Sequence, residues 1–258
     1  MMMTIDPRLR DEVRAHPYPL LFASVSGAHL YGFPSADSDY DLRGAHLLPI
    51  DRFVGLVPGE ETVQTTHLRG GMEVDLVTHD ARKFFALLLR NNGYVLEQLY
   101  SPLVVHAAPE HAELRRMARG CITRRCVRHY VGFAANQWRL FEKEELRRVK
   151  PLLYVYRVLL TGIHLMRTGC VVASLPECNA EVGLPYVDEL IARKTAGAEH
   201  CVLADADVDF HRAEYLRLNA LLVAESERSH LPEEPTAHAA LHDLLLRIRL
   251  GAPAAAAA

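Results

Sequence analysis

The stretch from Leu20 to Arg43 constrains this chain more than any other part of its sequence. The apolar run Leu20 to Val25 predicts a buried strand, and a second strand, which carries Asp39 and Asp41, follows a polar turn. Residues two apart on a strand point to the same face, so their Cα atoms lie about 6.5–7 Å apart. Neighbouring carboxylates are costly to bury unless a cation neutralises them. The pair therefore predicts a divalent cation.

The residue types also indicate which cation and which substrate group this stretch binds. Hard oxygen ligands with no nearby cysteine favour Mg²⁺ or Mn²⁺ over zinc. The turn at Ser26 and Gly27 ends the first strand, and such a turn supplies backbone N–H groups that suit phosphate oxygens. Because a phosphate-binding turn precedes metal-binding carboxylates by about a dozen residues, the order indicates nucleotide chemistry.

A third carboxylate is predicted on the strand Met72 to Thr78, which follows the hairpin signal Arg69-Gly70-Gly71. Glu73 and Asp75 share one face of that strand. A carboxylate on the inner face of a central strand is costly without a cation. Asp75 is therefore the natural third metal ligand, and Glu73 is the competing candidate.

These residues carry a family resemblance. The segments GAHLYG (27–32) and DSDYDLRG (37–44) resemble the signature of the DNA polymerase β-like nucleotidyltransferase superfamily, in particular its branch associated with bacterial RNA-repair operons. One position departs from the family pattern: Ala28 stands where the pattern has a serine, whose hydroxyl binds the triphosphate. The similarity continues through residues 73–75, 82–89 and 91–102, and more weakly from 150 to 169.

The resemblance implies an enzyme that transfers a nucleoside monophosphate from a nucleoside triphosphate, first of all ATP, to a hydroxyl group. Two Mg²⁺ or Mn²⁺ ions, about 3.5–4 Å apart, would be held by Asp39, Asp41 and Asp75, and the family pattern favours Asp75 over Glu73. Asp75 would hold the metal nearer the acceptor hydroxyl and help to remove the proton of that hydroxyl.

The candidate nucleotide-binding residues are Ser26, Gly27, Arg43 and Lys150. Arg43 is open to two interpretations, since its guanidinium suits phosphate oxygens but would also balance the charge of the aspartates. Lys150 and Arg157 stand about two helical turns apart. The resemblance weakly implies that both reach the phosphates.

The predicted fold class is α+β. Residues 1–109 are predicted to form a polymerase β-like catalytic domain, a mixed sheet flanked by helices, as the resemblance implies. Residues 110–250 are predicted to form a helical bundle, and the low-complexity segment 251–258 a disordered tail. Helices are predicted at residues 6–15, 80–90, 94–100, 110–119, 124–148, 151–167, 184–195, 209–226 and 236–250.

Composition limits the partners and the compartment. A net charge of −3 gives no general attraction to nucleic acid or anionic membranes, so an RNA contact would need a local basic patch, such as the arginine run at residues 115–128. No apolar run approaches the roughly 20 residues of a membrane span. The five cysteines form no CxxC pair, which indicates reduced thiols in a cytoplasmic protein.

The acceptor hydroxyl stays open between an RNA 3′ end, a protein side chain and a small molecule such as an aminoglycoside. The kinship with RNA-repair operons favours RNA. An alternative of another class is a nucleotide-binding regulatory or antitoxin-like module with weak or no catalysis, and Ala28 motivates it. The three acids weigh against that alternative, because a retired site has no physical reason to keep them.

Overall fold

The computed structural model describes residues 5–197, 201–204 and 207–251, and these form two compact units. Within that part of the chain, the first unit comprises residues 5–26, 39–121 and 234–251, and the second comprises residues 27–38 and 122–233. The division differs from the boundary predicted at residue 109, because residues 110–121 and 234–250 lie with the sheet. The predicted tail, 251–258, lies outside the described residues apart from Gly251.

One mixed sheet organises the first unit, which confirms the α+β class. Its strands are β1 (Leu20–Val25), β2 (Tyr40–His46), β3 (Thr62–Arg69), β4 (Met72–Asp80) and β5 (Val104–Ala107). Their order is β3-β4-β2-β1-β5. The β2–β4 pair is parallel and the other pairs are antiparallel. β2 and β4 therefore lie inside the sheet, where neighbouring strands cover both of their edges.

The helices are numbered along the chain. They are α1 (Arg8–Arg14), α2 (Gly27–Tyr31), α3 (Ile50–Val54), α4 (Ala81–Leu89), α5 (Gly93–Tyr100), α6 (Glu110–Ala118), α7 (Val127–Lys143), α8 (Val149–Thr168), α9 (Leu175–Val182), α10 (Pro185–Ala196), α11 (Val208–Arg228) and α12 (His238–Leu250).

The two faces of the sheet pack differently. Leu42 of β2 and Val74 of β4 belong to an apolar cluster with Leu9 of α1. On the other side, the ring of Phe22 lies 5.3 Å from that of Phe84 in α4. Because side chains alternate between faces along a strand, the neighbours of Leu42 in sequence, Asp41 and Arg43, point away from the α1 cluster.

β1 and β2 approach each other closely at Gly44. A Cβ atom at this position would lie 2.1 Å from the carbonyl oxygen of Phe22, which is far inside any van der Waals contact. Only glycine therefore fits at this point, and the close approach fixes how β2 lies against β1.

The last helix, α12, is attached to the first unit by ion pairs. Arg249 donates to both carboxylate oxygens of Asp80 at 2.5 Å, and Asp80 is also the N-cap of α4. Arg247 pairs with Glu113 of α6 at 2.6 Å. These long-range contacts explain why residues 234–250 lie with the sheet although they follow the helical unit in sequence.

The second unit is built around α8. This helix is buried along most of its length, and α7, α9, α10 and α11 all pack against it. Sequence patterns predicted the long helices of this unit within a few residues but missed α9. No helix among the described residues combines the length and the apolar character that crossing a membrane requires.

Candidate active site

Parallel pairing of β2 with β4 brings two of the predicted acids side by side. Asp41 lies opposite Asp75 in the register, and each side chain is 21% exposed. Partners in adjacent strands project to the same face of a sheet. The two carboxylates therefore form a half-buried pair in the interior of the sheet.

Arg43 lies between these carboxylates. Its Nη2 donates to Asp41 Oδ1 at 2.5 Å and to Asp75 Oδ2 at 3.0 Å. Its Nη1 donates to the carbonyl oxygens of Leu42 at 2.9 Å and Asp75 at 2.7 Å, and its Nε donates to the Tyr94 hydroxyl at 3.1 Å. A guanidinium has five N–H donors, and these five acceptors match that number.

Arg43 keeps its positive charge in this setting. Burial by itself lowers the pKa of the guanidinium, but Tyr94 and the carboxylates of Asp41 and Asp75 stabilise the charged form and together raise the pKa above its ordinary value. Of the two interpretations of Arg43, charge balance is the one that the contacts show. Its binding to phosphate remains a prediction.

β3 contributes a second set of contacts to Asp75. Thr66 lies opposite Asp75 in the register and donates from Oγ1 to Asp75 Oδ1 at 3.1 Å. Gln64 approaches the same oxygen at 3.5 Å. Since Arg43 holds the other carboxylate oxygen, the rotation of the Asp75 side chain is fixed from both sides.

The strand register also decides between Asp75 and Glu73 as the acid beside Asp41. Pairing of β2 with β4 begins at Tyr40, which lies opposite Val74, so Glu73 lies beyond the end of the paired segment. Its side chain is exposed. Asp75, and not Glu73, is therefore the acid beside Asp41.

Asp39 lies just outside the strand. The prediction that β2 carries it is wrong by one residue, since the strand begins at Tyr40, where its ladder with β4 begins. Asp39 is half-buried. Among the residues that the structure describes, no three or more His, Cys, Asp or Glu side chains are arranged as a metal-binding group. The register thus places Asp41 beside Asp75, and the part of Asp39 as a metal ligand stays a prediction.

The donor chemistry of the pair fits a divalent cation. Asp41 and Asp75 both approach one cationic nitrogen of Arg43, so a single ion at that point would be within reach of both. Asp41 and Asp75 carry two formal negative charges, which one divalent ion would balance. Carboxylate oxygens are also the ligands that Mg²⁺ and Mn²⁺ prefer.

Ser26 and Gly27 connect β1 to α2. The buried Ser26 uses its backbone N–H to donate to the carbonyl oxygen of Asp41 at 2.7 Å, while its hydroxyl has no hydrogen-bond partner among the described residues. Gly27 has a φ of +61°, a conformation that glycine adopts without steric cost. The Ser26 hydroxyl, rather than its amide, is the group that remains for the predicted phosphate contact.

The predicted cations of the second unit differ in exposure. Lys150 is the second residue of α8 and is half-buried. Arg157 is 2% exposed, and its guanidinium stacks on the ring of Tyr31 at 3.8 Å. In this conformation Arg157 belongs to the core of its unit, whereas the role of Lys150 stays a prediction.

The loop that leads into Asp39 is anchored by a buried lysine. Lys194 of α10 is fully buried and donates from Nζ to Ser35 Oγ at 2.6 Å. Ser38 accepts a hydrogen bond from the Ser35 backbone N–H at 3.0 Å. These contacts fix the turn from which the chain enters β2.

Sequence reasoning missed three residues that shape this region: Thr66, Tyr94 and Lys194. Thr66 left a signal, because the hairpin at Gly70-Gly71 sets the register that puts it opposite Asp75. Tyr94 and Lys194 left none. Lys194 is 159 residues from Ser35 in sequence, and no local pattern reports such a distant contact.

Residues 1–247 match the profile of a family described as RlaP, RNA repair pathway DNA polymerase beta family. The uncharacterized protein MJ0002 of Methanocaldococcus jannaschii is 32% identical over 151 residues, which are 58% of this chain and only 61% of that protein. The uncharacterized protein YcgL of Bacillus subtilis is 26% identical over 78% of this chain and 81% of its own length. A nucleotidyltransferase-like protein from Exiguobacterium sibiricum of known structure aligns over 94% of this chain and 78% of its own, with 12% identity and a TM-score of 0.34.

Proposed function

We propose that this chain, which belongs to the RNA repair pathway DNA polymerase beta family, is a metal-dependent enzyme that transfers a nucleoside monophosphate from a nucleoside triphosphate to a hydroxyl acceptor and releases pyrophosphate. Membership in that family supports a polymerase β-like nucleotidyltransferase. The observation that carries the metal dependence is the pairing of Asp41 with Asp75 on adjacent parallel strands, where their carboxylates converge on one cationic group.

The chain's own residues have distinct parts in this proposal. Asp41 and Asp75 hold divalent ions, with Asp39 as a further ligand. Mg²⁺ or Mn²⁺, when bound, stabilises the charge that develops on the entering and departing oxygens. A carboxylate oxygen of Asp75 accepts the proton of the acceptor hydroxyl. Thr66 holds that carboxylate in one orientation, which limits the reorganisation needed for the transfer.

The triphosphate, with ATP as the first candidate, contacts the Ser26 hydroxyl and the chain at Gly27. Ala28 has no hydroxyl, and Ser26, two residues before it, has one whose Oγ is buried without a partner among the described residues. Arg43 and Lys150 supply positive charge for the phosphates. The description of the family favours an RNA end as the acceptor. A protein side chain and a small molecule are the other acceptors to test.

A transfer assay with matched variants tests the proposal. The protein is incubated with α-labelled nucleoside triphosphates, Mg²⁺ or Mn²⁺, and a pool of RNAs or cell extract. We expect metal-dependent transfer of label, which Asp75→Asn lowers about 100-fold or more, since charge stabilisation worth several kcal/mol is lost. Glu73→Gln is the control, because it removes an exposed acid two residues away on the same strand.

The two variants separate a site effect from a general loss of charge. Equal transfer by wild type and Asp75→Asn, with both proteins folded, contradicts the proposal. Equal loss in Asp75→Asn and Glu73→Gln contradicts it as well, because that result assigns no special part to the acid beside Asp41.

One observation favours the alternative, a nucleotide-binding regulatory module. Arg43 gives Asp41 and Asp75 a structural partner, so a chain without catalysis also has a physical reason to keep both acids. Calorimetry distinguishes the two functions. Binding of a nucleoside triphosphate, with no turnover in any acceptor mixture, supports the regulatory module. Turnover that requires Asp75 supports the enzyme.

A further inference from the structure

We propose that Arg43 is a built-in counter-ion that competes with divalent metal for Asp41 and Asp75, and so sets the metal concentration at which the site fills. The inference rests on the proposed metal binding of this site. It adds that the guanidinium of Arg43 already pairs with both carboxylates, so a metal ion must displace it.

The first step is the position of one nitrogen atom. Arg43 Nη2 lies 2.5 Å from Asp41 Oδ1 and 3.0 Å from Asp75 Oδ2. A Mg²⁺ ion shared by these two carboxylates needs oxygen distances of about 2.0–2.1 Å, which places it in the space that this nitrogen fills. The guanidinium and the ion carry the same sign of charge and repel each other at such a distance. They therefore exclude each other.

The second step is the strength of the competitor. Only two of the five hydrogen bonds of Arg43 go to the paired carboxylate side chains. The others go to the carbonyl oxygens of Leu42 and Asp75 and to the Tyr94 hydroxyl. The side chain is 12% exposed. These extra acceptors hold the guanidinium in place independently of the acids, so displacement costs more than the loss of a solvated surface ion pair.

The third step is the consequence for binding. Two ligands that exclude each other lower each other's apparent affinity, and the effect is reciprocal. Removing the guanidinium should therefore tighten metal binding, although it destabilises the metal-free protein by leaving two adjacent carboxylates without a cation. A residue with a purely structural role would lower stability without raising the affinity for metal.

Mn²⁺ alone is the probe. Free Mn²⁺ is measured by electron paramagnetic resonance during titration of the full chain without nucleotide, for wild type, Arg43→Gln and Arg10→Gln. Arg10 is exposed on α1, so its replacement removes the same charge away from the pair. We expect Arg43→Gln to bind about tenfold more tightly than wild type, within the range of typical coupling between competing ligands. Arg10→Gln should bind as wild type does.

Tyr94→Phe provides a second variant in case Arg43→Gln does not fold. It keeps the guanidinium but removes the acceptor of Nε, and we expect a smaller gain in Mn²⁺ affinity. Thermal melting provides a second readout. Without metal Arg43→Gln should melt below wild type, and saturating Mg²⁺ should raise its melting temperature more than that of wild type.

The outcomes separate this inference from the proposed function. If folded Arg43→Gln binds Mn²⁺ no more tightly than wild type, while Asp75→Asn abolishes binding, the competition is refuted and the metal site stands. If neither wild type nor Arg43→Gln binds Mn²⁺, both the metal site and the competition are refuted. Tighter binding that Asp75→Asn reverses supports both.

Discussion

Arg43 shows how one residue can serve both the fold and the chemistry of a site. The sequence alone left it between phosphate binding and charge balance, because local spacing allows either. Its five hydrogen bonds in the structure include contacts to β4 and α5, and neither contact follows from the motif around it. The acids at positions 41 and 75 were predictable, whereas the cation between them was not assigned, since its partners depend on the packing of three separate elements.

His46 provides a prediction for the dependence of stability on pH. Burial, together with the nearby His16, lowers the pKa of this fully buried imidazole to about 4, against the opposing effect of Asp80. The unfolded chain, with an ordinary histidine pKa of about 6.5, binds one more proton than the folded chain between these two values. Stability is therefore complete above pH 6.5 and falls as the pH drops toward 4, by at most about 1.4 kcal/mol per pH unit.

Urea unfolding at pH 7 and pH 5 checks this expectation. His46→Gln should lose less stability between the two pH values than wild type does. The exposed His242 of α12 serves as the control, and His242→Gln should retain the wild-type dependence. An unchanged dependence in His46→Gln would show that other groups cause the acid sensitivity.

At the scale of elements, the attachment of α12 to the rest of its unit should depend mainly on one buried ion pair. The side chains of Arg249 and Asp80 are 6% and 0% exposed, and removing one partner of a buried pair typically costs about 3–5 kcal/mol. We expect Arg249→Met to lower the free energy of unfolding by that amount. Arg247→Met is the matched control on the same helix. Its pair with Glu113 is 20% and 28% exposed, and its loss should cost below about 1 kcal/mol.

Circular dichroism during urea unfolding measures both variants. Similar losses of stability in Arg249→Met and Arg247→Met would contradict the assignment of Arg249 as the main attachment of α12. A larger loss in Arg249→Met would explain why the end of the chain belongs to the unit that contains the sheet.

The elements also show where sequence patterns suffice. The mainly apolar run of β1 predicted the observed bounds Leu20–Val25, because the turn at Ser26 and Gly27 marks where the strand ends. The short helix α9 was missed, although Ser174 as N-cap, Pro176 and a terminal Gly183 are all present. The attachment of α6 and α12 to the sheet was not predictable, because it depends on ion pairs between residues far apart in sequence.

At the scale of the whole molecule, neither the net charge nor the arginine run at residues 115–128 supplies a wholly uncompensated positive charge. The chain carries a formal charge of −3, and the arginine run that offered an RNA contact is partly neutralised. Arg125 pairs with Glu233 at 2.8 Å, and Arg124 pairs with the same carboxylate. If RNA is the acceptor, its recognition therefore depends less on general attraction to phosphates than the run of arginines in the sequence suggests.

The fold class and the family were both predicted from the sequence, since the motifs at residues 27–32 and 37–44 carry the family resemblance. The arrangement of the site was only partly evident. Asp41 and Asp75 meet as predicted, but Asp39 lies outside the strand and the described residues contain no three-acid cluster.

A crystal structure of the protein with Mn²⁺ and a non-hydrolysable ATP analogue tests the central claim most directly. The anomalous signal locates Mn²⁺ without reference to the protein atoms. We predict a peak within about 2.0–2.3 Å of carboxylate oxygens of both Asp41 and Asp75, with the Arg43 guanidinium moved out of the space between them. Arg43 in its present position, with nucleotide bound and no Mn²⁺ peak beside these two acids, would contradict the claim.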